Sequence, residues 1–179
     1  MTGLASHALL LTGRPGVGKT TVVRRVVAGL GAWRARGFTT EEIRVRGHRT
    51  GFGLEALDGT LETLARVGLA SPHRIGPYGV DVAALDRVVA STLAPDPAVQ
   101  VFVVDEIGKM ECLSAPFVAA VRELLDSPRL LVATIAARGG PFVEETRKRP
   151  DVEVWTVTRE NREGLPPRVL AWLRERLET

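Results

Sequence analysis

The run Gly13-Arg14-Pro15-Gly16-Val17-Gly18-Lys19-Thr20 fills every fixed position of the pattern G-x-x-x-x-G-K-[ST], and it limits the fold more than any other part of the chain. Such a loop needs a strand before it and a helix after it, and both are legible. Ala8 to Thr12 is the short apolar run of a buried strand. From Gly18 to Leu30 the residues Val22, Val23, Val26, Val27 and Leu30 recur at helical spacing and form one face. Glycines let backbone N–H groups turn inward around an anion, and the helix N-terminus adds its positive end at the same place. Residues Gly13 to Thr20, with Thr21 beside them, are therefore expected to hold the phosphates of a nucleotide. Lys19 reaches the β and γ phosphates, and Thr20 offers its hydroxyl to a magnesium ion, Mg2+.

The rest of the chain alternates short apolar runs with helical patterns, as a parallel sheet covered by helices does. Strands are expected within Phe38 to Leu57, as a hairpin-like excursion around Gly47 and Gly51, then at Val101 to Val104, Leu130 to Ile135 and Val152 to Val157. Helices are expected from a cap at Asp81 to Leu93, from Pro116 to Leu125, from Phe142 to Arg149, and from Pro167 onward. The expected fold is a three-layer α/β domain over residues 1–179, a mostly parallel central sheet of about five strands with helices on both faces.

Val101-Phe-Val-Val-Asp105-Glu106 is an apolar strand that delivers two acids at its carboxyl end, the Walker B pattern. Ligands of open α/β sheets bind outside the carboxyl ends of the strands, so these acids and the glycine loop are expected to converge. Asp105 is assigned to the magnesium side together with Thr20. Glu106 is assigned to orient or deprotonate an attacking water, with a solvent-facing acid as its bland alternative. Lys109 is placed to meet charge developing on the phosphoryl group, or is a surface lysine.

Length and composition set the limits around this site. With 179 residues, 45% hydrophobic and 25% charged, the chain has the mix of a soluble globular protein. No apolar run approaches the roughly 20 residues of a spanning helix, and the N-terminal apolar stretch is too short for a secretion signal. A cytoplasmic protein is the reading that follows. The net charge of +3 is compatible with a phosphate-bearing ligand and does not call for nucleic acid. The dense basic run Arg147-Lys148-Arg149 is short enough to be a solvated helix face. Cys112 has no cysteine to pair with, and His7, His48 and His73 fall in no catalytic or zinc-binding pattern.

Four blocks in order give the chain a resemblance to the THEP1-type nucleoside-triphosphatase family, whose human form is called cancer-related nucleoside-triphosphatase. They are Leu11 to Thr21; Gly37 to Arg44 followed by Arg49-Thr50-Gly51-Phe52; Asp105 to Glu111; and Val157 to Arg162. The resemblance implies hydrolysis of nucleoside triphosphates (ATP, GTP, CTP and UTP) to diphosphates with broad base tolerance, on a fold close to the nucleotide kinases. It puts Lys19, Thr20, Asp105 and Glu106 in the roles argued above, and sets Thr158 and Asn161, past the final strand, where a base edge is contacted. A helix-capping role is the alternative for Asn161.

The chain departs from the family pattern at Ala136 to Gly140, the position of a mobile lid in nucleotide kinases. Arg138, Arg147, Arg149 and Arg49 are the candidates for an arginine that meets the transferring phosphoryl group. Two other functions use the same loop and acids: a small-molecule or nucleotide kinase, which needs an acceptor pocket, and a slow nucleotide-dependent switch. No N-K-x-D base motif of the familiar switches is present.

Overall fold

A computed structural model describes residues 6–178; the two ends of the 1–179 span expected above lie outside them. Strand β1 (Ala8–Thr12) is fully buried and runs parallel between β8 (Leu130–Ile135) and β9 (Val152–Thr156). On its other side β8 pairs with β7 (Val101–Ile107), which in turn pairs with the first residues of β2 (Ala35–Val45), again in parallel. These are the apolar runs read from the sequence.

The expected sheet of about five mostly parallel strands is too small. The sheet has nine strands in the order β5-β6-β4-β3-β2-β7-β8-β1-β9 and is mixed. β2 is the joint between its halves. Ala35 to Phe38 pair parallel with β7, while Phe38 to Val45 pair antiparallel with β3 (His48–Ala56) across a two-residue Arg46-Gly47 turn. Both turn residues have positive φ, at 50° and 80°, the backbone a tight twisted hairpin requires. Antiparallel pairing then continues through β4 (Leu61–Val67), β6 (Tyr78–Val80) and β5 (Arg74–Ile75). The sequence Leu61-Glu-Thr-Leu-Ala-Arg-Val is rich in helix formers and lacks the alternation of a half-buried strand. Neighbouring strands override its local preference.

Successive residues of a strand face opposite sides of the sheet, and the core divides accordingly. Leu9, Leu11, Val101 and Val103 pack against α1 (Lys19–Gly29) and α5 (Leu165–Leu177). Leu10, Phe102, Val104 and Phe38 face the other layer, built by α2 (Val82–Thr92) and α3 (Ala115–Asp126). The cap read at Asp81 is present, its carboxylate accepting from the Ala84 N–H at 2.9 Å. Ser114 caps α3 in the same way, accepting from the Phe117 N–H at 3.0 Å. A short 3-10 turn (Glu111–Leu113) follows β7, and α4 (Pro141–Arg147) follows β8. No helix among the described residues is long and apolar enough to cross a membrane.

One position ties the two halves together. Gly37 has φ of 136°, and a Cβ there would overlap the Val103 carbonyl of β7. No side chain fits at this seam.

Candidate active site

The glycine loop turns between β1 and α1, and each of its glycines answers a different constraint. Gly13 lies so close to the last strand that a Cβ would stand 2.7 Å from the Val157 carbonyl oxygen. Gly16 and Gly18 have φ of 76° and 110°, and Gly18 is the N-cap of α1 with no side-chain cap. The first N–H groups of α1 thus point into the loop with no side chain of the cap to satisfy them. The Val17 N–H closes a turn on the Arg14 carbonyl at 3.1 Å, with Pro15 and Gly16 between.

Lys19 folds back over this loop. Its Nζ donates to the Gly13 carbonyl at 2.9 Å and stands 3.8 Å from Glu106 Oε2. Asp105, 1% exposed, lies beneath: its Oδ1 accepts from the Thr134 hydroxyl at 2.6 Å and its Oδ2 from the Thr40 N–H at 3.4 Å. The Thr20 hydroxyl is a further hydrogen-bond partner of the same carboxylate. Burial pushes the Asp105 carboxyl above its ordinary range, and the Thr134, Thr20 and Thr40 donors and the Lys19 charge counter that push. Glu106 is raised as well, by burial first; Lys19 lowers it and the neighbouring Asp105 charge raises it further.

A third acid closes the group. Glu111, 5% exposed, reaches back from the 3-10 turn toward Gly108, where a Cβ would meet Glu106 Oε1 at 2.9 Å and Glu111 Oε2 at 3.1 Å. Burial, and then the charge of Glu106, push its carboxyl up to about 8. Read as sequence, Glu111 is one more charge after Gly108-Lys109-Met110, and only its place in a resembling block marks it. Cys112 beside it is a quiet thiol, pushed up to about 11 by burial and by Glu111.

Loop and acids open onto one cleft of about 770 Å³, within the size range of small-molecule sites. Pro15, Gly16, Gly18, Lys19, Thr20 and Thr21 line it, with Asp105, Glu106 and Lys109. Arg14 is exposed on the loop, while Gly13 and Val17 shape it from behind. The sequence-predicted site is thus brought together, save for Thr158 and Asn161, which lie off the cleft in the connection from β9 to α5. There the Asn161 side chain accepts from the Thr158 N–H at 2.8 Å and donates to the Thr156 carbonyl at 2.8 Å, a closed turn that caps no helix, since α5 starts at Leu165 with Gly164 as its N-cap. The next residue, Arg162, donates to the Val17 carbonyl at 3.1 Å and so fastens this turn to the glycine loop.

The four candidate arginines separate by their partners. Arg147 donates to the Thr12 hydroxyl at 2.7 Å and to the Ala136 carbonyl, and Arg149 is held by Asp126, Asp151 and the Leu125 carbonyl. Arg49 donates to the Tyr78 hydroxyl and to Glu42, with its guanidinium over the Phe52 and Tyr78 rings. Arg138 is exposed, lines the cleft, and has no hydrogen bond or ion pair among the described residues.

A strand-loop-helix phosphate cradle facing two acids at the end of the neighbouring-but-one strand defines a P-loop nucleotide-binding protein of the α/β class. A family model described as NTPase matches residues 8–170. A nucleoside-triphosphatase THEP1 of Thermotoga sp. (strain RQ2) is 41% identical over 169 residues, covering 93% of this chain and 95% of that protein. The human cancer-related nucleoside-triphosphatase is 40% identical, covering 93% and 96%. The crystal structure of THEP1 from Aquifex aeolicus superposes with a TM-score of 0.85 at 36% identity, over 93% of this chain and 98% of that one. The chain belongs to the THEP1-type nucleoside-triphosphatase family.

Proposed function

We propose that the chain is a magnesium-dependent nucleoside-triphosphatase of the cytoplasm that converts ATP, GTP, CTP and UTP to diphosphate and phosphate, working as one domain. The observation that carries the reading is the Glu106 carboxylate set 3.8 Å from the Lys19 ammonium at the mouth of the glycine loop. A group that must orient water at the end of a triphosphate belongs beside the cation that holds it.

The donors at the loop suit Mg2+. Thr20 and Asp105 offer hard oxygens, and the described residues contain no cluster of three or more His, Cys, Asp or Glu that would hold a metal alone. This matches an ion bound through one or two protein oxygens, substrate phosphates and water. When bound, Mg2+ neutralises charge on the β and γ oxygens. The loop N–H groups and Lys19 hold the phosphates; Glu106 accepts a proton from the attacking water. Glu111, kept protonated by its burial, limits the negative charge beside Glu106. Arg138 and Lys109 reach over the cleft toward charge developing on the transferred group. The Asn161 side-chain amide is engaged by the Thr156 carbonyl and the Thr158 N–H within its own turn.

Phosphate release from the four triphosphates, with magnesium and with a chelator, tests the reading. Release that requires magnesium and varies little with the base supports it. Tight binding with no release from any of the four refutes it.

A further inference from the structure

Residues 136–140, the connection from β8 to α4, carry Arg138 on a backbone with little stiffness of its own. Ala137 and Arg138 are exposed, Gly139 and Gly140 follow, and Gly140 has φ of 96°. Two successive glycines leave a chain many conformations, so a side chain on such a segment is aimed only if the segment is fixed from outside.

Both of its ends are fixed. The Ala136 N–H donates to the Ile107 carbonyl at 3.1 Å, one residue beyond Glu106. At the other end the Glu144 N–H donates to the Gly140 carbonyl at 3.1 Å, while Phe142 and Val143 are buried in the core. Arg147 then joins this segment to the glycine loop. Half-buried in the last turn of α4, it donates through Nη1 to the Ala136 carbonyl at 3.3 Å and to the Thr12 hydroxyl at 2.7 Å. Thr12, 6% exposed, ends β1 and is followed by Gly13, whose carbonyl holds Lys19. One guanidinium therefore spans the residue before the phosphate loop and the residue two places before Arg138.

The sheet does not need this bridge. The Thr12 carbonyl already accepts from the Val157 N–H at 2.7 Å, and the Ala136 N–H is matched by Ile107, so β1, β7 and β8 are held at their carboxyl ends without Arg147. What Arg147 adds is a link between two loops on opposite sides of the phosphates.

We propose that Arg147 is a positioning residue for hydrolysis: by bridging Thr12 and Ala136 it sets the 136–140 segment against the phosphate loop, so that Arg138 meets the γ-phosphoryl group held by the loop and Lys19. This rests on the triphosphatase reading and on the place of Arg138 in it. Arg147 acts through Arg138, and its effect falls on kcat, because the loop N–H groups and Lys19 that bind the ground state stay in place without it.

The test measures initial rates with magnesium and ATP, beside thermal melts, for the parent, Arg138→Ala, Arg147→Ala, Thr12→Val and the double variant Arg138→Ala with Arg147→Ala. Arg147→Ala is expected to lower kcat about tenfold or more with KM within about threefold of the parent, and Thr12→Val, which removes only the accepting hydroxyl, to lower kcat in the same direction. The double variant decides the matter. Its kcat should match that of Arg138→Ala within about twofold, since no arginine is left to be positioned. Losses that multiply in the double variant overturn the proposal, as does a parental kcat in Arg147→Ala. If Arg147→Ala does not fold, Thr12→Val takes its place in the same cycle with Arg138→Ala, and multiplying losses there overturn the proposal equally. Phosphate release by the parent keeps the triphosphatase reading standing in each of these cases; no release from the parent overturns that reading and this inference with it.

Discussion

The Lys19 ammonium sits between two oxygens of opposite purpose, the Gly13 carbonyl at 2.9 Å and the Glu106 carboxylate at 3.8 Å. The first contact holds the lysine over its own loop; the second couples it to Glu106, the acid proposed above to act on the attacking water. Removing either partner of the pair therefore separates binding from turnover.

Lys19→Ala is expected to weaken nucleotide binding. Hydrogen bonds from a charged donor contribute about 1.5–3 kcal/mol each, which corresponds to roughly a ten- to hundredfold rise in Kd. Calorimetric titration with a non-hydrolysable triphosphate checks this, and an unchanged Kd contradicts the placement.

Glu106→Gln keeps the shape and loses the base. Binding should stay within a few-fold of the parent, while kcat falls by about 10²–10⁴. Because burial raises the Glu106 carboxyl, turnover in the parent should decline on acidification above the ordinary glutamate range, as the base becomes protonated. A pH profile of kcat in both proteins reads the difference: the acid limb belongs to Glu106 only if the substitution removes it.

Glu111 makes stability fall as pH rises. Its carboxyl titrates at about 8 in the folded chain against 4.5 for the ordinary group, so between those values the folded state holds a proton that the unfolded state has released. The contribution is full below about 4.5 and is lost as pH climbs toward 8, with a span on the order of a few kcal/mol. Chemical denaturation of Glu111→Gln across that window should give a flatter curve than the parent.

Arg138 and Arg149 should behave in opposite ways. Arg149→Ala breaks bonds to Asp126, Asp151 and the Leu125 carbonyl and is expected to lower Tm with little change in kcat for the folded fraction. Arg138→Ala touches no such bonds and is expected to lower kcat at unchanged Tm. Thermal melts beside initial rates distinguish them.

The parallel half of the sheet was legible because its strands are buried on both faces and read as unbroken apolar runs ending at glycines or acids, as β1 and β7 do. The antiparallel half was legible only as far as the Phe38 to Leu57 excursion. Leu61–Val67 carries a helical composition, and Tyr78–Val80 and Arg74–Ile75 are too short to show a period. Within the site, the loop, Asp105 and Glu106 followed from fixed spacing. Glu111 did not, because nothing local distinguishes a buried glutamate from a surface one. The arginines could not be ranked from spacing because their roles depend on distant partners, such as the Thr12 hydroxyl that receives Arg147.

Gly37 sets a gauge. Where β2 passes β7 no side chain separates the backbones, so the span from the phosphate loop to Phe52 on β3 is measured in peptide hydrogen bonds and not in adjustable side-chain contacts. Even a single methyl group at this seam would widen the whole cleft at once, changing the reach between its two ends without altering one residue that lines it.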